Sequence, residues 1–398
     1  MLLIPMDETQ TDHLKAYGVV FACLTDGQKA EWLLNYRAGS FLIKDLTGNR
    51  DLCLLRGVSY ISASNDELAD IYRVIEVENM ERVHLEKAPA MAVYSPSTLQ
   101  PWDDAVRLAL EYAEIKYDMI WDEEVLSGKL EDYDWLHLHH EDFTGQYGKF
   151  YASFHNQLWY QQDVAANEAM ARKLGFNKVS ECKKAVARTI KEYVLSGGFL
   201  FAMCSATETL DIALAAEGVD VVPAVLDGDP PDPGCQDKLD YSKTMAFTDF
   251  KVSLDLQYKH SDIDTDRDRM EKFMSMENDL FYLFQFSAKL DPVPTMLVQC
   301  HNGIINGFMG QTTALRKSLL KKYIIVLGEP LEYDEVRYLH GNLGRGTFTF
   351  FSGHDPEDYQ HFVHDPPTDL NLYKSSPGYR LILNNVLFPA ARKKERKT

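Results

Sequence analysis

The chain has 398 residues, 45% of them apolar and 25% charged, which suffices for two domains, or for one large domain with insertions, around a substantial core. Its 60 acidic residues outnumber 41 lysines and arginines, and the net charge of −19 excludes nucleic acid or an anionic membrane as the main partner, since both need a basic face. No apolar run approaches the roughly 18 residues that span a bilayer, so no membrane span is expected.

Six cysteines in a chain of this length, with no C-x-x-C pair, read neither as a disulfide framework nor as structural zinc. The start, MLLIPMDETQ, lacks a charged segment followed by an apolar one, so no signal peptide is visible. A chain whose leader had been removed would read the same. The compartment is therefore exported (periplasmic) in that case and cytoplasmic otherwise. The basic run 392–397 reads as a solvated end.

In chain order, residues 1–88 read as a small α+β domain. Tyr17–Leu24, Glu31–Tyr36, Arg37–Ile43 and Leu52–Tyr60 are strand-like, and Asp66–Tyr72 suits a short helix. The early polar cluster Asp7, Glu8, Gln10 and His13 could line a site, and a solvated loop is the plainer reading. From Ala90 the rhythm becomes strand, helix, strand. Strands are expected at Ala90–Tyr94, Tyr117–Trp121, Trp135–His139, Phe199–Met203 and Val219–Val222. Helices are expected at Pro101–Ile115, Asn167–Leu174, Glu181–Leu195 and Ala206–Ala216. This alternation implies parallel βαβ units in an open sheet covered on both faces, with a ligand crevice beyond the carboxyl ends of the strands.

An insertion at about 227–295 interrupts the pattern. It opens on the proline-rich Asp227–Gly234 and includes the acid-dense His260–Asp268, which lacks the glycine and closing glutamate of a calcium loop and reads as screened surface charge. Arg269–Phe286 suits a helical lid. Strands resume at Thr295–Val298, Tyr323–Leu327 and Gly346–Phe351, and residues 377–390 suit a terminal helix.

Chemistry concentrates at strand ends. Cys204 stands between the apolar run Phe199–Met203 and the helix opening at Ala206, a strand–turn–helix elbow that presents a nucleophile beside helix amides. A buried small residue is the plainer reading. In Trp135–Gly145, His139, His140 and Glu141 are of the right type to hold zinc or another divalent transition metal, or else hydrogen-bond at a crowded strand end. Gly145 could bring an amide to Cys204 as an oxyanion donor. His354, just past the last strand, sits where a general base would, with Glu357 or Asp355 to orient it. Gln299–Gly303 reads as a polar turn.

The elbow GGFLFAMCSATETLD, the strand end TFFSGHDPED and the closing SPGYRLILNNVLFPA resemble the class I glutamine-amidotransferase-like superfamily, in particular its trehalose-utilisation-type (ThuA-like) branch. The stretches IPMDETQTDHLKAYG, WLLNYRAGSFLI and DWLHLHHEDFTGQYGKFY are similar to an uncharacterised Bacteroidota family commonly labelled asparagine synthetase B. The resemblance implies an α/β, flavodoxin-like fold over 89–398, a mostly parallel sheet with helices on both faces. Carried over by residue, Cys204 is nucleophile, His354 base and Glu357 the orienting acid. The chain departs from the superfamily in having Ala202 and Ala206 where glycines flank the cysteine, and a three-residue step from His354 to Glu357. Asparagine synthesis is not implied: Leu2 stands where that chemistry needs a cysteine, and Ser196-Gly197-Gly198-Phe199 lacks the rest of a pyrophosphate loop.

Two functions follow. One is a hydrolase or amidotransferase-like enzyme using Cys204 and His354, with a metal held by His139, His140 and Glu141. The other is a non-catalytic scaffold whose crevice takes a small polar ligand or a protein segment. No residue pattern fixes an oligomeric state.

Overall fold

The computed structural model describes residues 1–96, 104–257, 259–265, 279–308, 312–359, 362 and 364–392. Five strands of the first 88 residues form an antiparallel sheet: β1 (Leu2–Ile4), β2 (Ala30–Leu34), β3 (Ser40–Ile43), β4 (Ile61–Ser62) and β5 (Glu81–Leu85), in the order β4-β1-β3-β2-β5. Among the described residues nine strands form the large sheet. Five of them are parallel, in the order β7 (Asp118–Ile120), β6 (Met91–Tyr94), β8 (Trp135–Leu138), β9 (Phe199–Met203) and β16 (Gly346–Phe351). Antiparallel strands β15 (Tyr338–Leu343), β13 (Ile325–Glu329), β10 (Leu280–Leu283) and β11 (Ile304–Asn306) continue it past β16. A short ribbon pairs β12 (Leu315–Arg316) with β14 (Glu335–Val336). The sheet is therefore mixed rather than mostly parallel, because strands late in the chain return as hairpins instead of crossing over through helices.

Several local expectations give way. Tyr17–Leu24 belongs to a helix, His13–Thr25, capped by the Asp12 side chain on the Lys15 amide. Ten of its 13 residues are buried, and a helix enclosed on most sides shows no polar stripe to distinguish its apolar run from a strand. Leu52–Arg56 likewise lies in the helix Thr47–Arg56, closed by left-handed Gly57. Thr295–Leu297 lies in the helix Pro292–Leu297, which proline opens, and Val219–Val222 makes no strand. Of the expected lid, 269–278 lies outside the described residues, and Leu280–Leu283 is strand β10. The helices Val179–Ser196, Ala206–Ala215 and Pro377–Leu387 fall where the pattern put them.

One apolar cluster unites the two sheets. It runs from Leu2, Tyr17 and Trp32 through Met91 and Trp135 to Leu383 and Val386. The joint is sealed by Arg380, fully buried on the terminal helix. Its guanidinium donates to the Tyr17 hydroxyl (3.2 Å), to the Met6 carbonyl (2.8 Å) and to the Ala38 carbonyl. On the far face of the large sheet a second cluster packs Val186 and Ile190 against Leu200, Phe348 and Phe350. Among the described residues no helix is long and apolar enough to cross a membrane.

Candidate active site

The elbow forms as the apolar run dictates. β9 ends at Met203, and Cys204 takes a left-handed backbone (φ 49°) before the helix Ala206–Ala215 begins. For a residue with a Cβ this conformation costs about 1–2 kcal/mol. Two hydrogen bonds hold it: the Cys204 amide donates to the Gly353 carbonyl (3.1 Å), and the Ala206 amide to the His139 carbonyl (3.0 Å). The ends of β8, β9 and β16 are thus stitched together at one point.

Around that stitch three imidazoles gather. The His139 ring lies 4.7 Å from His354 and 4.9 Å from His140, centroid to centroid, and His140 stacks parallel to His354 at 6.0 Å. One ring nitrogen from each of the three falls within 4.8 Å of the others. Gly353 makes the approach possible: its φ is 95°, and a Cβ there would lie 2.3 Å from the Phe308 ring.

Behind His139 stands Asp104, the N-cap of the helix Ala105–Tyr112, whose carboxylate accepts the Val106 and Arg107 amides (2.8 and 3.1 Å). The same oxygen is 3.2 Å from His139 Nδ1 and 3.3 Å from His137 Nε2. Burial alone would raise Asp104, but His137 and His139 hold its carboxyl well below the usual range. Burial keeps His140, next to His139, a neutral imidazole. Burial pushes Glu141 up to about 7, although the His139 amide donates to its carboxylate (2.7 Å).

Other predicted site residues are placed differently. Cys204 is 2% exposed, and burial pushes its thiol up to about 12; Ser205 pulls it down, while Asp264 and Glu141 raise it further. Glu357 turns to Ser376, and Asp355 accepts the Tyr379 hydroxyl (2.7 Å). Gly145 (φ 80°) is pressed against Ser180, where a Cβ would come within 2.8 Å of the backbone. The amides around it, those of Thr144, Gln146 and Gly148, donate to the Asp142 carboxylate (2.7, 3.1 and 2.8 Å). His301 of Gln299–Gly303 stacks on His13 (4.2 Å) and meets Arg380, so this cluster serves the joint between the sheets.

Of the acid-dense segment, 266–268 lies outside the described residues, and 260–265 is largely buried rather than surface charge. His260 is 1% exposed, with Nε2 3.0 Å from Asp142 and Nδ1 3.6 Å from Glu208, and its neighbour Ser261 donates to Glu208 (2.6 Å). Burial opposes the imidazolium, but the two carboxylates win and raise its pKa to about 9. The insertion is thereby pinned to the loop after β8.

A cleft opens beside His140 and Glu141, walled by Trp121, Tyr147 and Phe150, with Asp163 and Lys183 among its polar groups. Lys183 is buried and paired with Asp122 (2.8 Å), and it also donates to the Tyr94 hydroxyl (3.0 Å). The sequence reading missed Asp104, His260 and Lys183 as site residues. Only Asp104 carried a local sign, an acid where a helix begins.

No family model and no curated protein matches the chain. Among solved structures, it is similar to the cytoplasmic protein STM3548 from Salmonella typhimurium at 12% identity and a TM-score of 0.38, over 77% of this chain and 100% of that one. It is similar at 11% identity and the same TM-score to the cytoplasmic protein STM1381 from Salmonella typhimurium LT2, over 76% and 99%.

Proposed function

We propose that the protein is a hydrolase of small polar esters or amides, with its reacting centre at the carboxyl edge of β8, β9 and β16. The observation that carries this reading is the meeting of His139, His140 and His354 next to Glu141, with His140 and Glu141 lining an aromatic-walled cleft. Water is the nucleophile. Glu141 takes its proton as the oxygen bonds to the carbonyl carbon, and that proton passes to the leaving alcohol or amine as the C–O or C–N bond breaks. The parallel strands run second, first, third, fourth, fifth in chain order, which supports a flavodoxin-like reading of this half of the sheet. In such sheets the crevice lies at the edge where these residues stand.

A second reading, acyl transfer through Cys204, is favoured by its left-handed backbone, a strain that persists where the surrounding structure demands it. The amidotransferase-like resemblance belongs to that route. Assay of the full chain on short p-nitrophenyl esters and on primary amides, glutamine included, tests both. Turnover that survives Cys204→Ser but falls at least a hundredfold in Glu141→Gln supports the water route. Loss in Cys204→Ser, with a trapped thioester in the parent, selects the thiol. No turnover on any substrate overturns the hydrolase reading and leaves the crevice as a binding site.

A further inference from the structure

We infer that His139, His140 and His354 form a binding site for one divalent transition ion of the zinc class, with Asp104 as the carboxylate that positions His139. The ligand set differs from the one legible in sequence: His354, 214 residues further along the chain than His140, takes the place of Glu141.

Three features carry the inference. First, three imidazole nitrogens lie within 4.8 Å of one another, and the donors of one tetrahedral ion, with ligands at about 2 Å, stand roughly 3.3 Å apart. A side-chain adjustment of an ångström or so closes that difference. Second, His139 has a carboxylate at its back. With Nδ1 turned to Asp104 at 3.2 Å, the nitrogen it offers is Nε2, and carboxylate–histidine pairing is the usual support of a metal-bound imidazole. Third, the donors sit on rigid supports: His139 and His140 follow β8, His354 follows β16, and the Cys204 and Ala206 amides tie both to the elbow.

Other acid and histidine groupings among the described residues serve differently. Asp220, Asp227 and Asp229 already surround an internal cation, the Lys178 ammonium, at 2.5, 3.0 and 2.6 Å. The grouping of Asp104, His137 and His139 shares two residues with the proposed site. There the His137 ring nitrogen Nδ1 donates to the Phe201 carbonyl (3.1 Å), which makes His137 part of the support and not a ligand. His13 and His301 are stacked on each other beside Arg380.

Three histidine ligands leave one coordination position for water or substrate, as in catalytic rather than structural zinc sites. Glu141 and His140 line the cleft, which puts one of the three ligands at its wall. To this extent the inference deepens the hydrolase reading and rests on it, while ion binding stands without it.

Cobalt(II) is the probe. Full-length protein stripped with chelator and dialysed is titrated with cobalt(II), followed by its visible ligand-field bands, and then with zinc(II) in competition. One equivalent should bind with the intense bands of a four-coordinate site, and zinc should displace it. His354→Ala and His140→Ala should each weaken binding at least a hundredfold with unchanged far-UV circular dichroism. Asp104→Asn should weaken it roughly tenfold to a hundredfold and shift the bands, with Asp104→Glu restoring part of the loss. Asp227→Asn should change nothing. No stoichiometric binding, or binding that survives His354→Ala and His140→Ala or is lost in Asp227→Asn, overturns the site. Where a histidine variant does not fold, His354→Gln replaces it under the same criteria. Ion binding without turnover removes the hydrolase reading and keeps the site; turnover in protein that takes up no cobalt(II) removes the site and keeps the hydrolase.

Discussion

Cys204 is the residue at which position and chemistry part. Its left-handed backbone is that of an exposed nucleophile at an elbow, yet the residue is 2% exposed and its thiol is raised by burial to about 12. A thiol so placed is protonated and sheltered at neutral pH. Native protein treated with iodoacetamide at pH 8 should therefore leave Cys204 unmodified, as read by peptide mass spectrometry, and modify it fully in urea. Rapid native labelling below pH 8 would restore the thiol route. Lys183 and Asp122 offer a second test at this scale, since their side chains are 6% and 1% exposed. Breaking a buried pair strands the other charge, at a cost of about 3–5 kcal/mol. Asp122→Asn should lower stability in urea by that order, and Lys183→Met with Asp122→Leu should recover most of the loss.

Between elements, His260 ties the insertion to the loop after β8. The groups facing it are Asp142 on that loop and Glu208 on the helix Ala206–Ala215, with Lys149 acted on by both carboxylates. A histidine whose pKa rises from about 6.5 unfolded to about 9 folded stabilises the fold fully below pH 6.5 and loses that contribution as pH passes 9. The parent should lose up to about 3 kcal/mol between pH 6.5 and 9.5 in urea melts, and His260→Gln should flatten that slope. A parent curve that stays flat across this window would place the proton elsewhere. His260 sits in a segment that reads as solvated acid, and only its two distant carboxylates make it an internal cation. The reverse holds for Asp66–Tyr72, expected as a helix and lying in the helix Asn65–Val77, where the structure shows Ser64 and Glu67 forming a capping box within four consecutive residues.

For the molecule as a whole, the first 88 residues are held by the same core that fills one face of the large sheet. Removing them would bare Tyr379, Leu383 and Val386 on the terminal helix and strip Arg380 of its carbonyl and hydroxyl acceptors. A chain of residues 89–398 is therefore expected to bind a hydrophobic dye and to aggregate, whereas the full chain does neither. A monomeric, dye-silent fragment with a cooperative melt would contradict this.

What the residues determined by themselves were features set within about a dozen positions: the run Phe199–Met203 ending at a cysteine, the long helices from Val179 and Pro377, and the histidines and acid after Trp135. Hydrophobic period, caps and turn residues act over that distance. The tertiary structure decided the rest. It turned the enclosed run Tyr17–Leu24 into helix, since burial on most sides erases the polar stripe that tells helix from strand. It sent the late strands back as hairpins, and it drew His354, Asp104 and His139 together from three separate parts of the chain. Such meetings are fixed by which strand ends lie side by side, a property of the folded sheet that no local spacing encodes.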